Sequence, residues 1–224
     1  MEPQVIWNIF RQLFQGTEQT ILVTFSCFLT GMLTALAATC LQRLALPVLN
    51  PLIRGFSYVF RGVPIYVLVF LVYFGLPTMD VKVSPLVAMN LSLGLVTGAY
   101  LIEVFRTALQ AIDVSEIVAA EAMAMSKLHI FFWIEIPQML RLSIPGIANE
   151  FTSTLKSSPF AYVIGISEIT RQAVALTATT DFNLQIYASV AVLYFLIYMC
   201  CTFLAQQITR KFEKSFDLLN IDAT

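Results

Sequence analysis

Within an otherwise apolar stretch, Glu150, Ser153, Thr154 and Ser157 recur at i, i+3, i+4 and i+7. That spacing gathers them on one face of a helix. Asn149, Thr152 and Lys156 form a second polar stripe beside it. Two kinds of chemistry are open to a carboxylate among hydroxyls. It meets a cationic amine or a basic side chain, or it holds helices together through a hydrogen bond or ion pair. Glu150 and Lys156 stand six residues apart. That is about 9 Å along a helix axis and roughly a third of a turn out of line, so they are poorly placed to pair with each other. Pro159 removes a backbone donor just beyond Ser157 and is placed to kink or break the helix. Catalytic chemistry has little support. There is one histidine, His129, and no His-Glu-x-x-His, Gly-x-Ser-x-Gly or Gly-x-x-x-x-Gly-Lys-Ser/Thr motif. The four cysteines, Cys27, Cys40, Cys200 and Cys201, show no metal spacing and read as small apolar residues. No cofactor and no metal are expected.

A second constellation lies in the polar interruption over 113–141. Ile117, Ala120, Met123/Ala124 and Leu128 recur near the helical period, with Glu116, Glu121 and Lys127 between them. Phe131, Phe132 and Ile134 form a further apolar cluster before Pro137. The pattern predicts two short helices lying at a membrane surface, joined near Ser126-Lys127, with Ser126 as a helix N-cap. Met123, Met125 and Met139 add flexible thioethers suited to an irregular partner groove. Periodicity alone fits a surface helix with or without such a partner.

These residues are positioned by membrane-grade sequence. The chain has 224 residues, 58% hydrophobic and 12% charged, with a mean hydropathy of +0.79. A soluble domain of this size needs far more charge to cover its surface. A net charge of −1 offers no concentrated basic patch, which excludes nucleic acid as a partner and leaves lipid as the surroundings. Crossing a bilayer takes roughly 20 helical residues. Spans are expected at about 20–41, 62–79, 83–106, 142–166 and 182–208, giving an all-α polytopic bundle of about five transmembrane helices in one domain over 1–224. The N-terminus lacks the pattern of a signal peptide. Nine basic residues fall on one side: Arg43, Arg54, Arg61, Arg106, Lys127, Arg141, Arg210, Lys211 and Lys214. Three fall on the other, Arg11, Lys82 and Arg171. The asymmetry puts the N-terminus outside and the C-terminus and docking segment in the cytoplasm. In the third span, Gly94 and Gly98 form a Gly-x-x-x-Gly pair suited to close helix packing, with Thr97 and Tyr100 as cavity candidates. Glu103 and Arg106 read as an ion pair, and Arg61 as a topology anchor or a path residue.

The interruption resembles the cytoplasmic coupling loop of ABC importer permeases, whose signature runs Glu-Ala-Ala, three residues, Gly, then about nine residues to an Ile-x-Leu-Pro-like end. Here the frame is Val118-Ala119-Ala120, Ala124 and Ile134-x-Ile136-Pro137. Over nearly its whole length the chain is similar to the polar amino acid permeases of that class. Arg61-Gly62-Val63-Pro64, Gly98-Ala99-Tyr100 with Glu103 and Arg106, Asn149-Glu150-Phe151, Lys156-Ser157-Ser158 and Ile164-Gly165 follow that family's pattern in order. Two departures stand out. Val118 replaces the signature Glu, with Glu116 and Glu121 flanking it, and Ala124 replaces the Gly, which costs the loop an easy left-handed turn.

The resemblance implies the transmembrane subunit of an ATP-driven importer in a bacterial inner membrane. It implies a separate ATPase subunit, an extracytoplasmic substrate-binding protein, and a second permease, either a copy or a similar subunit. Under it, Glu116, Val118, Ala119, Ala120, Glu121, Met123, Ala124 and Met125 are the ATPase-coupling residues. Glu150, Thr97, Tyr100, Ser153, Thr154, Ser157 and Arg61 are the substrate-path candidates, with Glu150 facing the amine of an amino acid. The alternative is a stand-alone ion-coupled transporter or channel with a proton carried on Glu150. Five spans without an inverted repeat match that poorly.

Overall fold

The computed structural model describes residues 3–43 and 47–221, with side chains at 7, 9–43 and 47–207. Arg210, Lys211 and Lys214 of the inner-side count therefore lie outside the described side chains. The described residues are helical, without strands. In chain order the helices are α1 (Pro3–Gln42), α2 (Leu49–Gly62), α3 (Ile65–Met79), α4 (Pro85–Gln110) and α5 (Val114–Ala122). They continue as α6 (127–142), α7 (Ile144–Ser157), α8 (Ile169–Thr177) and α9 (Asn183–Ile221).

Three stretches are single helices long and apolar enough to cross a membrane: Ile9–Gln42, Pro85–Gln110 and Asn183–Gln207. The other two expected spans differ in form. The segment over 62–79 is preceded by α2, and α2 and α3 meet at a 102° bend. The cause is local. Pro64 lacks an amide donor and forces the residue before it out of the helical region, and Val63 is accordingly extended at φ −90°, ψ 130°. The segment over 142–166 is not one continuous α-helix. α7 ends at Ser157, and Ser158–Ile164 is a 3-10 helix with Pro159 in its first turn.

α1 is the central post, and three apolar clusters form along it. Ile9 and Leu13 pack with Ile169, Ala173, Ile186 and Leu193 of α8 and α9. Val23 and Cys27 pack with Val69, Met89, Leu93 and Ile164. Ala35 and Ala38 pack with Leu101, Ile102, Phe105 and Met139. Of the cysteines, Cys27 is buried whereas Cys200 is exposed.

A close seam joins α1 to α4. A methyl group at Gly94 or Gly98 would stand 3.0 Å from the Cβ of Thr30 or Thr34, and one at Gly31 would stand 2.7 Å from Thr97 Cγ2 and 2.9 Å from the Gly98 nitrogen. The last contact is with backbone, so the helices must part to admit any side chain. Gly31→Val is expected to lower stability by about 1–3 kcal/mol. Thermal unfolding in detergent checks this; an unchanged midpoint would show that the seam has slack.

Candidate functional site

α7 presents a broad polar arc away from its own bundle. Asn149, Ser153 and Lys156 are exposed, and Glu150, Thr152 and Ser157 are half-buried. Thr154, by contrast, turns inward. Its hydroxyl donates to the Glu150 carbonyl at 2.8 Å and lies 2.9 Å from Thr97 Oγ1, and both threonines are buried. The Thr154 proton is spent on that carbonyl, so Thr97 donates to Thr154. Two of the expected path residues thus form a bond between α4 and α7 and have no access to solvent. The rest, Arg61, Tyr100, Glu150, Ser153 and Ser157, stay accessible.

Arg61 comes to this arc from the last turn of α2. Its guanidinium lies 5.2 Å from the centre of the Tyr100 ring and 3.9 Å from Glu103, and it acts electrostatically on Glu150. Glu103 in turn pairs with Arg106, whose Nε donates at 3.0 Å. The packing of α2 on α4 is what places Arg61 beside Tyr100 and Glu103. On the other edge of the arc, the Lys156 amine sits 4.8 Å from the Tyr198 ring centre. There a cavity of about 290 Å³ opens between α7 and α9, lined by Asn149, Thr152, Tyr198, Thr202 and Gln206 among others.

The docking segment folds as two helical pieces. Asp113 caps α5, accepting from the Ser115 amide at 2.9 Å, and that backbone bond holds its carboxyl below the usual range. Ser126 caps α6, accepting from the His129 amide at 3.3 Å. Between them Ala124 adopts φ +57°, so the loop keeps the left-handed turn although Ala replaces the signature Gly that would make it easy. A side chain there costs about 1–2 kcal/mol. Ala124→Gly is therefore expected to stabilise the loop by about 1 kcal/mol, read as slower amide hydrogen exchange over 120–128. Equal or faster exchange would count against the strain.

The residues expected to couple divide by exposure. Glu116, Val118, Ala119, Glu121, Met123 and Ala124 are exposed, Met125 is half-buried, and Ala120 is buried. Glu116 accepts a hydrogen bond from Gln138, which ties α5 to α6. Sequence reasoning passed over Trp133. It is 72% exposed and stacks on His129 with ring centres 5.8 Å apart, extending an apolar patch with Met123, Leu128 and Phe132. The spacing of Leu128, Phe132 and Trp133 at i, i+4 and i+5 was the available signal.

Two buried carboxylates were also missed. Glu135 pairs with Arg43. Glu168 caps α8 and accepts from the Thr170 and Arg171 amides, both at 2.7 Å, and from the Tyr194 hydroxyl at 2.8 Å. Burial pushes the Glu168 carboxyl above its ordinary value against the pull of those bonds.

A helical membrane bundle with a polar arc on α7 and a capped, partly apolar segment over 113–141 is the architecture expected of an ABC importer permease. The chain belongs to the family described as binding-protein-dependent transport system inner membrane components, whose family model matches residues 27–217. Membership carries two general partners, an ATPase and a substrate-binding protein. The chain is 28% identical over 212 residues to a probable amino-acid permease, YxeN, of Bacillus subtilis (strain 168), covering 93% of this chain and 95% of that one. It is 30% identical to the octopine transport system permease OccQ of Rhizobium radiobacter, covering 90% and 88%. It is 27% identical to the glutamine transport system permease GlnP of Escherichia coli (strain K12), covering 93% and 96%. A solved amino acid ABC transporter with histidines superposes with a TM-score of 0.85 at 25% identity, over 94% of this chain and 99% of that one.

Proposed function

We propose that the chain is the permease subunit of an importer for polar amino acids, and that the outward arc of α7 lines half of the path. The arc is the observation that carries the reading. Lipid cannot satisfy Asn149, Glu150, Ser153 and Lys156 at this depth, so water, solute or another protein must cover them. A second permease, identical or similar, closes the path from the other side. Glu150 meets the ammonium group of the solute, and Arg61, held on Tyr100, stands where it can meet the carboxylate. The relatives named for amino acid, glutamine and octopine transport point to the same zwitterionic chemistry.

The N-terminus faces outward and the docking segment faces the cytoplasm. There the exposed face of α5, with Met123 and the neighbouring patch, seats in the ATPase. ATP hydrolysis belongs to that partner and not to this chain. Closure of two ATPases rocks the permease pair between inward-open and outward-open forms, and the binding protein delivers solute from outside.

The test is purification of the tagged chain from its native membrane with identification of what accompanies it. An ATPase and a second permease copy or homologue are expected. A stable complex containing neither would overturn the reading and return attention to Glu150 as part of a stand-alone transporter.

A further inference from the structure

On one face of α6, Phe131, Glu135 and Met139 recur every fourth residue and all three are buried, at 1%, 6% and 0% exposure. Leu128, Phe132 and Trp133 of the same helix are instead exposed. Met139 packs with Ala35, Ala38, Leu101 and Phe105 of α1 and α4. Phe131 and Glu135 instead form a socket for a single side chain, Arg43, which lies 92 residues away in sequence at the end of α1. Its guanidinium donates to the Glu135 carboxylate and lies 5.2 Å from the Phe131 ring centre. The fork of an arginine suits both contacts at once, which a lysine ammonium does not.

From this we infer that Arg43 and Glu135 form a coupling strut that carries displacement of the docking segment to the end of α1. The inference rests on the reading of α5 as the ATPase seat. The Glu116–Gln138 bond joins α5 to α6, so force on α5 is passed to α6. α6 then has two attachments. One is apolar packing around Met139, which tolerates small sliding. The other is the ion pair, which is short-ranged and directional and so fixes register. Glu135 is the more deeply buried partner, with 8% side-chain exposure against 40% for Arg43. Its charge therefore depends on Arg43 for compensation. Both residues act by positioning, since neither lies on the exposed α5 face or the α7 arc.

The experiment uses the assembled importer in proteoliposomes with its binding protein, comparing ATP hydrolysed with solute taken up. Glu135→Gln and Arg43→Gln are each expected to keep the complex intact and basal hydrolysis within about twofold. Uptake per ATP should fall at least tenfold. Arg43→Lys should fall between these and the parent. The exchange of both residues (Arg43→Glu with Glu135→Arg) should recover most of the uptake, a rescue that a packing role would not give. Unchanged uptake per ATP in the single variants would overturn the strut, as would complexes that fall apart and are not rescued by the exchange. Failure of the parent chain to assemble with an ATPase would instead sink the underlying functional reading.

Discussion

Replacing both Glu121 and Met123 with arginine is expected to release the ATPase from the purified complex. Met123 is 79% exposed, and Glu121 is exposed two residues before it at the end of α5. The two changes shift local charge by plus three (two at Glu121, one at Met123) and replace a flexible thioether with a solvated cation. Central apolar anchors at protein interfaces contribute roughly 2–4 kcal/mol each when truncated. Retention of the ATPase should therefore fall at least thirtyfold. Neither side chain packs in the bundle, so the permease itself should purify in normal yield. Co-purification measured by quantitative mass spectrometry decides the matter; stoichiometric ATPase in the double variant would move the seat away from α5.

Glu150→Gln is expected to abolish most uptake without disturbing assembly. An amide keeps the shape and removes the charge. A hydrogen bond to a charged group contributes about 1.5–3 kcal/mol, so uptake at limiting solute should drop roughly ten- to a hundredfold. Glu150→Asp should retain part of it. The complex and its basal ATP hydrolysis should persist, because Glu150 is half-buried and the helix contact at this level is carried by Thr97 and Thr154. Uptake equal to the parent would assign the carboxylate to holding Arg61 rather than to solute.

What could be read from the residues alone followed their range of interaction. The three long helices were visible as uncharged runs, because burial in lipid acts on every residue of a span. The Ser126 cap was visible because it is decided within three or four residues, whereas the left-handed turn at Ala124 was marked only by the resemblance's Gly position and persists with Ala there. The right-angled corner was marked by Pro64, yet its angle depends on where α2 lands on α4. The break at Ser158 was likewise marked by Pro159, while its 3-10 continuation depends on the packing of Ala161 and Ile164 against α1, α3 and α4. Pairings across the chain were not visible at all. Thr154 shares a helical face with Glu150 by simple counting, and only the approach of α4 shows that it bonds Thr97 inside the bundle. Arg43 read only as one of the inner-side basic residues for the same reason. Its partner is 92 residues distant, and a lone glutamate beside a proline carries no mark of burial.

The outward direction of the α7 arc also bears on the chain before it has found its neighbours. A newly inserted copy places Lys156, Asn149 and Ser153 against acyl chains, where none of them has a full set of partners. The lone folded subunit is thus a higher-energy species in the bilayer than the same fold inside a complex. On the proposed reading, its exposed polar arc marks it as unassembled, and assembly hides the mark. The residues proposed to line a passage for solute would then also give the membrane a way to tell an orphaned copy from a finished one.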